Sequence, residues 1–62
     1  KMTDKELTKI KTVYNDYFYI DYKEYMNNRK NLIKIYNNTG KRRTKNCEYI
    51  WIHKENISMI YN

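Results

Sequence analysis

Sixty-two residues with a net charge of +6, one Cys, one Gly and no Pro exclude several function classes. A separate hydrophobic core needs roughly 50 residues, so the chain reads as one small domain over 1–62. A single Cys makes neither an internal disulfide nor a structural zinc site, one Gly cannot form a phosphate loop, and no apolar run nears the roughly 18 residues of a membrane span. The expectation is therefore no metal, no cofactor and no membrane. With no visible leader, the reading is cytoplasmic. Lys1 ahead of Met2 reads as a remnant placed before the natural start.

Ten Lys, nine Asn, eight Ile and eight Tyr make up 35 of the 62 residues, and Ala and Gln are absent. Those four types share A/T-rich codons. The bias points to a phage or mobile element of a low-GC host, and so to the host-cell cytoplasm. A mean hydropathy of −1.11 with net +6 leans toward disorder, but the aliphatic residues come in patterned clusters. A folded domain of marginal stability is expected, either alone or completed by a homodimer or a partner.

In chain order, Thr3-Asp4-Lys5-Glu6 has the spacing of a capping box, and Leu7, Ile10, Val13, Tyr14 and Tyr17 recur at helical spacing. Together they predict a helix over 4–16. Asp21 and Glu24 repeat the capping spacing and suggest a short second helix over 22–29, closed by Asn27-Asn28. Residues 31–37 are β-branched and aromatic and read as a strand, followed by a turn at Asn37-Asn38-Thr39-Gly40. Residues 47–53 alternate, with Glu48, Ile50 and Ile52 on one face and Cys47, Tyr49, Trp51 and His53 on the other. A last strand is expected over 57–61. The fold class that follows is α+β, with a helical N-terminal half and a C-terminal three-stranded antiparallel sheet. The run from Tyr49 to Ile57 is also similar to the end of SH3-like barrels, where a penultimate strand, a short helical turn and a final strand follow one another. That likeness implies a small SH3-like β-barrel as the alternative.

The charge is uneven. Residues 1–26 carry five Lys and five acids and sum to zero, whereas residues 27–62 carry five Lys and three Arg against two Glu and hold the whole +6. No acid lies between Glu24 and Glu48, while Arg29, Lys30, Lys34, Lys41, Arg42, Arg43 and Lys45 all do. A basic hairpin over 29–45 suits nucleic acid, DNA or RNA. Cations neutralise phosphates and release counterions, and a two-stranded ribbon or an Arg-bearing arm fits a groove. Thr39, Thr44, Asn38 and Asn46 can add neutral hydrogen bonds. The competing reading of the same run is a solvated, codon-biased loop.

Tyr49 and Trp51 share a strand face, with Tyr36 expected on the strand beside them. Such a face can stack unpaired bases, or it can be the core side of the sheet. Tyr, Trp and Arg are also enriched at protein-binding hot spots, so the alternative function is a host-protein-binding effector or inhibitor acting through the Tyr/Trp-rich surface. Catalysis is not expected. The only His, His53, lies six residues from Cys47 on one strand, about 20 Å away at extended spacing. RNA cleavage through Arg42, Arg43 and Tyr49 is a remote third class.

Overall fold

A computed structural model describes residues 7–37 and 48–61. Lys9 and Lys11 alternate with Thr8, Ile10 and Thr12, and this period of two builds strand β1, Thr8–Thr12, with Ile10 and Thr12 buried. A tight turn returns the chain into β2, Tyr17–Ile20. In that turn the Asn15 N–H donates to the Thr12 carbonyl at 3.0 Å, and Asn15 takes a left-handed φ of 67°. Asn tolerates that conformation better than most residues. The buried Thr12 hydroxyl accepts from the N–H groups of Tyr14 and Asp16, at 3.2 and 3.3 Å.

The helix expected over 4–16 is therefore replaced, from residue 7 onward, by a strand, a turn and the approach to β2. Thr3 and Glu6, which carried the capping signal, lie outside the described residues. The helical stripe competed with an alternating pattern through the same Ile10. The strand wins because Ile10 and Thr12 can both enter one core, whereas Val13, Tyr14 and Tyr17 of the stripe all end up at least half exposed.

A short helix, α1, runs over Tyr22–Asn27, two residues less than the 22–29 expected. Its N-cap is Asp21, whose carboxylate accepts from the N–H groups of Lys23 and Glu24 at 3.1 and 3.3 Å. Strand β3 follows at Leu32–Tyr36, and β4 at Tyr49–His53. A single 3-10 turn at Lys54–Asn56 leads into β5, Ile57–Tyr61.

All strands join one antiparallel sheet in the order β4-β3-β2-β1-β5. The three-stranded sheet of the α+β reading is corrected to five strands, because residues 8–12 and 17–20 supply two more and β5 pairs with β1 rather than with β4. The alternative of a small β fold fits better. Its geometry follows from one short connection. Laid flat, β4 and β5 would stand about 19 Å apart at ~4.8 Å per strand. The 3-10 turn joining them spans only about 6 Å at ~2.0 Å per residue. The sheet must curl until its two edges meet the turn. Hydrogen bonds hold the turn on both sides: Val13 N–H donates to the Asn56 carbonyl at 2.8 Å, and Lys54 N–H to the Asn31 carbonyl at 2.7 Å.

The core lies inside that curl. Ile10, Ile20, Ile33 and Ile35 are all but fully buried, and Phe18, Ile52, Ile57, Ile60 and the α1 residues Tyr22 and Tyr25 pack around them. Burial of each isoleucine contributes about 1.5–3 kcal/mol. Ile57 and Ile60 both serve this inner side although three residues apart. The register with β1 slips between Lys11 and Thr12, and this bulge in β5 takes up the extra residue.

Lys54 ties α1 to the turn. Its ammonium donates to the carbonyls of Tyr25 and Asn28 at the C-terminal end of α1 and lies 4.9 Å from the Tyr25 ring centroid. The helix has no basic residue in its own last turn, so a cation 26 or more residues away in sequence meets the negative end of its dipole.

Candidate functional site

Strand alternation puts every second residue on the outer side of the curl, and the registers say which of them are neighbours. Lys34 stands opposite Trp51, and Tyr36 opposite Tyr49. Tyr19 stands opposite Tyr36, and Lys9 lies between Tyr19 and Tyr61. One transverse row thus crosses all five strands: Tyr49, Tyr36, Tyr19, Lys9, Tyr61. Beside it are Trp51 and Lys34 on one wing, and Tyr17, Lys11 and Met59 on the other. Among the described strand residues none on this side is a carboxylate.

The first wing contains part of the sequence-predicted site. Trp51 and Tyr49 are 54% and 47% exposed, and their rings meet edge-on at 6.3 Å. Tyr36 is buried beneath, with its ring 5.8 Å from that of Tyr49. The Lys34 ammonium lies 4.5 Å from the Tyr49 centroid and 5.5 Å from that of Trp51. Such contacts hold a cation over a ring face without neutralising it.

Next to Trp51 opens a shallow groove of about 610 Å³, lined by Glu24, Asn27, Asn28, Arg29, Lys30, Leu32 and Trp51. Its cationic wall is set by an Asn turn after α1. The Asn28 side chain donates to the Leu32 carbonyl at 3.0 Å and accepts from the Lys30 N–H at 2.6 Å, so Arg29 and Lys30 are presented to solvent at the groove. Five predicted residues are thereby brought together by geometry: Arg29 and Lys30 across the groove from Trp51, with Lys34 and Tyr49 beside it. Tyr36 supports them from below. Lys41, Arg42, Arg43 and Lys45 lie outside the described residues; the segment carrying them leaves β3 and enters β4 at Asn37 and Glu48, where the Asn37 N–H donates to the Glu48 carbonyl at 3.1 Å.

Sequence reasoning missed the second wing. The Lys9 ammonium lies 4.6 Å from the Tyr17 centroid and 5.6 Å from that of Tyr61, and the two rings are 6.3 Å apart. Met59 accepts from the Tyr61 hydroxyl at 3.6 Å. Local desolvation, and after it the neighbouring Tyr17 phenol, hold the Tyr61 phenol above its ordinary pKa of 10, so it is neutral at physiological pH. The signal was present in Lys9-x-Lys11 and Tyr17-x-Tyr19, both of period two, but the helix expected over 4–16 takes in both lysines and its stripe takes in Tyr17.

His53 makes a local contact: its Nδ1 lies 3.3 Å from the Asn31 amide nitrogen, which fits an Asn31 N–H donating to an unprotonated Nδ1. Among the described residues no cluster of three or more His, Cys, Asp or Glu is placed to hold a metal ion, and no helix is long and apolar enough to cross a membrane. No family model, curated protein or solved structure matches the chain.

Proposed function

We propose that the protein is a small basic nucleic-acid-binding module that works without catalysis, in the cytoplasm of a host cell. Phosphates are met by Arg29, Lys30 and Lys34, together with Lys41, Arg42, Arg43 and Lys45 of the segment between β3 and β4, while Tyr49 and Trp51 take bases. One observation carries this reading: two half-exposed aromatic rings hold a lysine over their faces beside an open groove walled by Arg29 and Lys30. A flat apolar ring for a base edge or face, with cations within a few ångströms for its phosphate, is the pairing that nucleic-acid binders use.

Trp51 is the only Trp, so its fluorescence reports directly on the site. Titration with DNA and RNA oligonucleotides over a salt series is expected to quench it, with affinity falling steeply as salt rises. Trp51→Ala, followed by a labelled oligonucleotide instead, is expected to weaken binding by about 5- to 150-fold, the equivalent of ~1–3 kcal/mol per stacked base. No binding at low salt overturns the reading. The effector alternative would then stand, and it draws support from Val13 and Tyr14, large apolar side chains exposed at the β1–β2 turn.

A further inference from the structure

The second wing repeats the chemistry of the first with different residues. Each consists of two tyrosine or tryptophan rings about 6.3 Å apart with a lysine ammonium over both. Each sits on the outer side of an edge region of the sheet, one on β3 and β4, the other on β1, β2 and β5. Tyr17 and Tyr61 are 51% and 40% exposed, more than support of a core requires. The ammonium of Lys9 draws anions, and the neutral Tyr61 phenol does not repel them.

We infer that Lys9, Tyr17 and Tyr61 form a second base-stacking and phosphate-binding platform, so that the protein holds one unpaired nucleic-acid strand at two points around its outer face. This rests on the nucleic-acid reading of that face and adds to it the class of ligand and the second contact. Single strands are selected because a ring can stack only on a base whose face is free, and a paired, stacked duplex offers none along its length. In the transverse row, Tyr19, half-buried, and Tyr36, buried, lie between the two platforms. Four strand spacings separate β4 from β5, about 19 Å along the curled backbone and more at ring level. A strand long enough to reach both platforms turns the second contact into an intramolecular one and gains affinity beyond either platform alone.

The test uses the full chain and homopolymeric single strands of roughly 4 and roughly 16 nucleotides, lengths bracketing the common footprints of small single-strand binders, with a duplex of the longer length. The expected result is tight binding of the long single strand, weaker binding of the short one and weakest binding of the duplex. Lys9→Gln with Tyr61→Ala is expected to cut long-strand affinity by about 5- to 150-fold while leaving the short strand's quenching of Trp51 in place. Circular dichroism of the double variant, and the single Lys9→Gln, separate a lost contact from a lost fold. Duplex binding as tight as single-strand binding overturns the inference, as does a long-strand affinity that the folded variant leaves unchanged. Both outcomes leave nucleic-acid binding itself standing. Failure of all three ligands to bind removes that foundation as well.

Discussion

The inner and outer faces of one curled sheet are built from different chemistry. Inside, Ile10, Ile20, Ile33 and Ile35 are at most 1% exposed and pack with other apolar groups and the rings of α1. Outside, the same strands carry Lys9, Lys34, Tyr17, Tyr49, Trp51 and Tyr61, most of them half exposed and arranged as lysines over rings. Aliphatic side chains fill volume and gain from leaving water, but they offer a ligand nothing directional. Aromatic rings with cations are a poorer core and a better surface, since they combine area, π faces and charge. The chain thus concentrates its aliphatic residues where stability comes from and keeps a large share of its rings on the face proposed for recognition.

Three substitutions test how separate these faces are. The largest effect is expected for Ile33→Ala, which removes a fully buried side chain and should cost about 2–5 kcal/mol. A domain of this size has roughly 3–9 kcal/mol in total, so a urea or thermal melt should show a largely unfolded or strongly destabilised protein. A smaller effect is expected for Lys34→Gln. It removes two exposed cation–π contacts worth about 0.5–1 kcal/mol, so the melt should move by a few degrees while oligonucleotide binding weakens. A melt shifted as far as that of Ile33→Ala would mean that the outer face is structural. The smallest is Ile50→Thr. Ile50 lies on the inner side by register, opposite Ile35, yet it is 54% exposed at the β4 edge. A stability change within about 0.5 kcal/mol is expected. A larger loss would show that the core packing reaches Ile50 as well as Ile52.

Parts of this division are legible in the sequence. Residues 49–53 alternate cleanly, and Tyr49 and Trp51 do share one face with Lys34 and Tyr36, because a strand allows no other arrangement. The Asp21 cap is equally local: an acceptor side chain placed before two free N–H groups. The first seventeen residues were harder, since Ile10 belongs to a stripe of period 3.6 and to an alternation of period two. Only the core that receives Ile10 and Thr12 decides between them. With that misread, Lys9 falls inside the expected helix, Tyr17 counts toward its stripe, and the proposed second platform goes unseen. The pairing of β5 with β1 had no local signal at all. It joins segments from opposite ends of the chain, and the bulge that puts both Ile57 and Ile60 inside also breaks the alternation that would have announced a strand face.

That pairing has a consequence for how the molecule is made. Lys9 is registered against Tyr61, so one edge of β1 has no partner until β5 has been synthesised. At roughly 5–20 residues per second, a ribosome leaves that edge open for several seconds. Folding dominated by such distant contacts takes about milliseconds to seconds once the last strand is free. An unpaired strand edge invites pairing with a neighbouring nascent chain, and charged side chains, lysine above all, are the usual deterrent. Lys9 and Lys11 sit on this strand, so Lys9, proposed to hold a nucleic-acid strand in the finished protein, would together with Lys11 first keep the unfinished one from aggregating.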